Sequence, residues 1–418
     1  MTPKVTILGA GVIGLCSALA CARRGMSVQI IEQKPRQRDG CSFGNAGMIV
    51  PSHFIPLAAP GMVKLGLKWM WNPQSPFYIK PRFNLDLLNW GLEFWKASTQ
   101  RRVDAAAPVL RDLSLLSRQC FEELDLDFGL VKKGLLMLCK QQHTLDEEAK
   151  MATTANKLGI PAEVLDAKAT AALDPQVTMD ICGSVFFPKD CHLAPDRFIA
   201  AVESELHRLG VAIFWDTAVK GFATEAGRLR AIETSRGLIE TQEVVLCGGV
   251  WSEGLAKDLH LKLPMQAGKG YSLTLTQPAQ LPELCSICTE ARLAVTPMNG
   301  ALRVGGTMEL AGLSETISKE RVRGITQSFT RYFPAFQESS FADIQPWSGL
   351  RPVSPDGMPY LGRTARWKNL TIATGHAMMG LSLAPATGQI VAKLLADEPS
   401  PVALNLMSPD RFNASSPS

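Results

Sequence analysis

Val5-Thr6-Ile7-Leu8-Gly9-Ala10-Gly11-Val12-Ile13-Gly14-Leu15-Cys16 reads as a buried strand, a G-x-G-x-x-G turn and the start of an alanine-rich helix. Each glycine in the turn has its own physical duty. Gly9 permits the tight turn, Gly11 lets a pyrophosphate approach the backbone, and Gly14 lets helix pack on strand. A helix opening near Val12 presents unpaired N–H groups and the positive end of its dipole to that pyrophosphate. A second strand, Ser27-Val28-Gln29-Ile30-Ile31, ends at Glu32. A carboxylate there accepts hydrogen bonds from both hydroxyls of an adenosine ribose and repels a 2′-phosphate, which argues against NADP. A glycine-rich turn in an ordinary sheet would not need strand, turn, helix, second strand and acid in this order. The stretch is therefore read as a dinucleotide site, with FAD and NAD both open.

At 418 residues the chain is long enough for two domains around a large core. Lys and Arg number 43 against 39 Asp and Glu, a net charge of +4 with no long charge run, so nucleic acid is not expected as a partner. The 10 cysteines are scattered, and Cys285-x-x-Cys288 has no second pair, so neither a metal site nor a disulfide framework is expected. The apolar stretch from Val5 to Ala22 is explained by the dinucleotide turn and by Arg23-Arg24 closing its helix, and export is rejected. No other uninterrupted apolar run reaches the roughly 20 residues of a membrane span. A cytoplasmic protein is the expectation.

Beyond Glu32 a basic loop leads to Cys41-Ser42-Phe43-Gly44-Asn45-Ala46-Gly47-Met48, whose small residues imply backbone close to a ligand. Residues 52–82 are broken by prolines around Met62-Val63-Lys64-Leu65-Gly66-Leu67-Lys68-Trp69-Met70-Trp71. That piece is read as a core-packed helix over the site, and its two lysines and two tryptophans leave peripheral contact with the inner face of a membrane as the alternative. Helices are expected at 85–96, 103–126, 144–158, 195–209 and 319–332. Strands are expected at 135–139, 184–187, 211–214, 218–224, 229–234 and 244–247. The last of these ends at Gly248-Gly249-Val250-Trp251, a crossing suited to passing under a cofactor. Residues 263–341 are strand-rich and form a separate antiparallel sheet. A second strand–glycine–helix unit runs from Leu370 through Thr374-Gly375-His376-Ala377-Met378-Met379-Gly380-Leu381 into a helix from about Pro385 to Leu395, and the tail beyond Ala396 reads as loop and disorder.

Together with Lys269-Gly270-Tyr271-Ser272, Gly349-Leu350-Arg351-Pro352 and Pro355-Asp356-Gly357, these motifs resemble the D-amino-acid oxidase and glycine oxidase superfamily of FAD enzymes, and within it the bacterial D-amino-acid dehydrogenases. Pro51-Ser52-His53 and Gly375–Leu381 look more like the branch acting on D-proline or cis-4-hydroxy-D-proline. The resemblance implies an α/β chain with a Rossmann-like FAD domain (1–51, 151–255 and 346–418) and an antiparallel-sheet substrate domain (52–150 and 256–345). It implies non-covalent FAD, since no cysteine matches an attachment point. It also implies hydride transfer from the α-carbon of a D-amino or imino acid to flavin N5, with quinone or oxygen as the electron acceptor.

The same resemblance assigns roles to residues. Arg351 would grip the substrate carboxylate as a bidentate fork, Tyr271 would sit near that carboxylate, and His53 and His376 would line the substrate entrance and the flavin. Ser42, Asn45, Gly47 and Met48 would contact pyrophosphate and flavin, and Val219 the adenine. Gly375, Gly380 and Leu381 would place N–H donors where reduced flavin gathers charge. Ile13, Gln33, Gly248 and Trp251 complete the cofactor set. The rival readings are a sarcosine- or glycine-type amine oxidase, a flavin subunit that only relays electrons, and an NAD-dependent dehydrogenase.

Overall fold

The computed structural model describes residues 4–69, 75–80 and 84–413. The expected dinucleotide unit is present: strand β1 (Lys4–Leu8), helix α1 (Val12–Arg23) and strand β2 (Ser27–Ile31). Around β1 lies a six-stranded sheet in the order Tyr360–Arg363, Leu370–Thr374, Glu243–Leu246, β1, β2, Ala212–Phe214. All its neighbours run parallel except the first pair. The central strands Val5–Leu8 and Val244–Leu246 are almost completely buried because both sheet faces are covered.

One face carries α1, the Pro195–Arg208 helix and the Gly380–Leu395 helix. A Cβ on Gly388 would stand 2.4 Å from the Cys16 carbonyl oxygen, so glycine is what allows that helix to lie against α1. The opposite face is covered by three antiparallel strands, Val219–Glu225, Arg228–Thr234 and Gly237–Glu240, whose Leu229 and Ile232 pack with Leu8, Ile31, Val244 and Leu246. By length and composition the segment Ala377–Leu395 could cross a membrane, but 67% of its window is buried inside the protein.

Among the described residues the second sheet has nine strands. Its path is Trp347–Val353, Gln266–Leu275, Ala301–Leu310, Leu293–Met298, Cys285–Cys288, Leu135–Cys139, Gly183–Phe187 and Glu163–Asp166, with Phe77–Ile79 added beside Ala301–Leu310. Two pairings are parallel, Cys285–Cys288 with Leu135–Cys139 and Phe77–Ile79 with Ala301–Leu310, so the sheet is mixed rather than purely antiparallel. The boundaries drawn at 151 and 346 also need correction. Strands 163–166, 183–187 and 347–353 belong to this sheet, because it is here that their backbone groups find partners, and a local apolar pattern does not say which sheet a strand joins. Cys285 and Cys288 lie three residues apart on one strand, so their side chains leave opposite faces and do not form a pair.

Three local expectations shift. The 100–123 helix starts at a Thr99 cap, and the last long helix begins at Gly380, five residues before Pro385. The tail is not disordered through residue 413: Val402 and Met407 are buried, and Arg411 is locked onto Asp356. Met62–Trp69 is helical as expected, with Lys64 and Lys68 exposed, while Met70 and Trp71 lie outside the described residues.

Candidate functional site

A cleft of about 550 Å³ runs along the C-terminal ends of β1 and β2, where an open α/β sheet presents its ligand site. Glu32, Gln33 and Val219 line one end, and Gly9, Gly11, Val12 and Ile13 the middle beside Ser42 and Asn45. Gly248 and Trp251 form a wall, and His376, Gly380 and Leu381 line the far end. Gly14, Gly47, Met48 and Gly375 do not reach the cleft. They shape the backbone that does.

The three glycines of the turn differ in what a side chain would meet. A Cβ at Gly14 would fall 1.9 Å from the Gly9 carbonyl oxygen, and one at Gly9 would fall 2.7 Å from that of Cys247. At Gly11 the only neighbour would be the Ser42 hydroxyl at 3.6 Å, so this glycine opens onto the cleft. One expectation is corrected here: the Val12 N–H is not unpaired, because it donates to Ser42 Oγ at 3.0 Å. Glu32 is buried, and its carboxylate accepts from Ala10 N (2.7 Å) and Lys34 N (2.8 Å). Two backbone donors leave a carboxylate about two further lone-pair sites, enough for a ribose diol.

Two arginines that the sequence did not single out hold this end together. Arg38 donates to the Ala10 carbonyl and to Glu203, both at 2.7 Å, and stacks 4.4 Å from the Trp215 ring. Arg303, on the second sheet, donates to the Phe43 and Asn45 carbonyls, each at 2.8 Å, and so fastens the 41–47 loop across the cleft. Their partners are far away in sequence, and no local pattern marks them. Gly47 holds φ +73 and packs on the Leu193 carbonyl, while its N–H closes an Asx turn onto Asn45. Met48 is buried in a two-residue strand pairing with His192.

At the far end Gly375 takes φ +76 against Tyr360, and the Gly380–Leu395 helix starts without a side-chain cap. Helix α1 likewise starts from Gly11 with no side-chain cap. His376 is buried with Nε2 at 3.0 Å from Thr387 Oγ1, and its Nδ1 has no protein partner among the described residues. Burial holds its pKa down to about 3, so the ring is neutral. The two helix starts take no cap from their own flanking residues, and with the orphaned ring nitrogen they suit a cleft for an anionic dinucleotide with a polar ring.

Arg351 does not itself line this cleft: its strand neighbours Leu350 and Pro352 do, its side chain leaves the other face of the strand, and it lies close to Cys41, which also lines the cleft. Its Nη1 donates to the Thr307 carbonyl at 2.7 Å, and no carboxylate pairs with it among the described residues. Burial pulls its pKa below the usual arginine value. A Cβ on Gly270 would meet the guanidinium at 2.1 Å, so that glycine makes room for it. Thr307, which presents the anchoring carbonyl, has φ +67 beside a register shift between the 266–275 and 301–310 strands. A β-branched residue in that conformation is strained, and the bulge aims its carbonyl at Arg351.

Tyr271 is corrected. It alternates with Gly270 along the strand, so its ring enters the core against Phe329 and Leu273, with its hydroxyl on Glu309 at 2.5 Å. It does not line the cleft. His53 does not line the dinucleotide cleft itself; it is half-buried on the loop that leaves Met48–Ile49 and is tied through Val50 to Ser382 at the cleft's far end, with Nδ1 at 2.9 Å from Ser52 Oγ.

Comparison with known proteins agrees with this geometry. The family model described as FAD dependent oxidoreductase matches residues 4–394. A D-amino acid dehydrogenase of Bradyrhizobium diazoefficiens is 30% identical over 98% of this chain and 99% of its own. One of Helicobacter pylori is 30% identical over 95% of this chain and 96% of its own. Among solved structures, glycine oxidase from Geobacillus kaustophilus superposes with a TM-score of 0.76 at 21% identity, covering 99% of this chain and 100% of that one. L-proline dehydrogenase from P. horikoshii reaches 0.74 at 19% identity, covering 98% of each chain.

Proposed function

We propose, since the chain belongs to the FAD dependent oxidoreductase family, that it is a dehydrogenase of D-amino or D-imino acids, with cyclic substrates of the D-proline and cis-4-hydroxy-D-proline type favoured. The observation that carries the reading is Arg351, a half-buried guanidinium with no carboxylate partner among the described residues, steadied on Thr307 next to the cleft-lining Leu350 and Pro352. A cation partly withdrawn from water without a counter-ion is costly, and a substrate carboxylate supplies the missing partner. Bound FAD, held without a covalent bond, supplies the hydride acceptor at N5. The chain's own part is to hold the acid end, seat the cofactor through Gly11, Glu32 and Ser42, and keep a neutral His376 at the flavin end. An anaerobic panel of D-proline, cis-4-hydroxy-D-proline, D-alanine and sarcosine tests it. The D-imino acids should bleach the flavin fastest; fastest bleaching by sarcosine would favour a secondary-amine oxidase instead.

We infer that the chain meets a lipid surface, which would bring a membrane quinone, rather than oxygen, within reach as electron acceptor. Helix Leu85–Ala97 turns Trp90 and Phe94 inward and exposes Leu85 (78%), Leu88 (64%), Leu92 (48%) and Trp95 (63%) as one stripe. Trp90 Nε1 donates to the Val353 carbonyl, and Val353 pairs with His376, so the helix lies one layer behind the cleft. Its acids Asp86 and Glu93 are each matched by a lysine, while exposed Arg101 and Arg102 beyond its end have no salt-bridge partner among the described residues. That combination suits an anionic bilayer. Leu88→Asp with Trp95→Asp should reduce co-sedimentation with phosphatidylglycerol vesicles at least tenfold while flavin bleaching by substrate stays unchanged; undiminished binding would exclude this helix.

A further inference from the structure

Asp190 is fully buried, and both its oxygens are spent on one residue. Oδ1 accepts the Ser52 N–H at 3.1 Å and Oδ2 the Ser52 hydroxyl at 2.5 Å. The Ser52 oxygen in turn lies 2.9 Å from His53 Nδ1. We propose that Asp190, acting through Ser52, is a positioning residue that keeps His53 in the tautomer whose Nε2 is a bare acceptor for an N–H of the substrate's amino group. This rests on the reading of the cleft as an amino-acid site.

The assignment follows from counting protons. A serine hydroxyl has one proton, and Ser52 spends it on the Asp190 carboxylate. Its oxygen can then only accept from His53, so Nδ1 carries the ring proton and Nε2 carries a lone pair. No protein group among the described residues bonds Nε2, and the ring is only partly covered. The loop is fixed at the flavin end of the cleft, where Val50 N donates to Ser382 Oγ beside cleft-lining Leu381. An ammonium or amine N–H facing Nε2 completes the chain substrate–His53–Ser52–Asp190.

The groups around the chain decide when it holds. Burial and the Arg292 charge hold His53 down to about 4, so the ring stays neutral. Asp190 is pushed up to about 7 by burial, opposed by the two Ser52 bonds and by Arg118 of the 100–123 helix, with Cys191 beside it and Cys285 across from it. Once protonated, the carboxyl donates to Ser52 Oγ and the hydroxyl turns to donate to Nδ1. The added proton stays on Asp190, while the ring proton moves from Nδ1 to Nε2. His53 then offers a donor to an ammonium group that is itself only a donor.

The test uses FAD-loaded full-length enzyme labelled with ¹⁵N-histidine, compared with Asp190→Asn and Ser52→Ala. At pH 8 the wild-type His53 Nε2 should resonate as an unprotonated nitrogen, and Asp190→Asn should convert it to N–H. Loss of the acceptor should lower kcat/KM by about tenfold to hundredfold at unchanged FAD content, and the wild-type rise in kcat/KM between pH 6 and 8 should flatten. A protonated Nε2 in the wild type at pH 8, or variants that leave both tautomer and kcat/KM unaltered, would overturn the proposal. If no amine bleaches the flavin, it is the function that fails, and the response of the tautomer to Asp190→Asn then decides the coupling.

Discussion

Arg351→Ala is expected to lower kcat/KM for a D-amino acid by about a thousandfold, close to 4 kcal/mol of lost recognition, with FAD still bound. The size follows from the environment. The guanidinium is half-buried, is unmatched by any carboxylate among the described residues, and is held by the Thr307 carbonyl, so a bound α-carboxylate is its natural counter-charge. Without it, a substrate carboxylate would have to be desolvated with no partner. Arg351→Lys keeps the charge but not the fork, and should raise KM about tenfold or more with a smaller effect on kcat. Steady-state kinetics on FAD-saturated protein reads both. Unchanged KM in the two variants would remove Arg351 from the substrate site.

Asp356→Ala is expected to destabilise the holoenzyme by about 3–5 kcal/mol. Asp356 accepts Arg411 Nε at 2.8 Å and Nη2 at 3.0 Å, and both side chains are largely shielded from water. Arg411 also reaches the Met358 carbonyl at 2.7 Å and stacks 4.0 Å from the Tyr360 ring, so the tail is fastened to the strand behind Gly375. Removing the carboxylate leaves a buried guanidinium unpaired. Urea unfolding followed by tryptophan fluorescence should show the midpoint fall. Asp356→Ala combined with Arg411→Met should recover part of the loss, because it removes the stranded charge. A midpoint unchanged in the single variant would show that the tail's docking depends on other contacts.

The tail shows where a sequence reading stops. Residues 397–413 have no periodicity, and what orders them are partners distant in sequence: the Arg411–Asp356 ion pair over fifty positions earlier, the Ala365 N–H on Asp410, and the burial of Val402 and Met407. Tyr271 shows the same limit at the site. A tyrosine beside a motif glycine looks available for substrate, but strand alternation gives one face to Gly270 and Arg351 and the other to Tyr271 and the core. Arg38 and Arg303 escaped notice for a related reason, since each acts on backbone carbonyls of loops remote from it.

The sequence alone determined the nucleotide unit and the order of its strands and helix, because those depend mostly on local features of the first thirty or so residues: a glycine at 14 that relieves a clash with Gly9, an apolar period and a terminal acid. It also marked Glu32 by its place at the end of the second strand, and Arg351 through the resemblance of its motif. Only the tertiary structure decided which sheet takes the 163–166, 183–187 and 347–353 strands, which way Tyr271 points, and that Asp190, Ser52 and His53 form one hydrogen-bonded line. Those outcomes depend on pairings between distant segments, where unmet backbone bonds and buried charges find partners that no local pattern encodes.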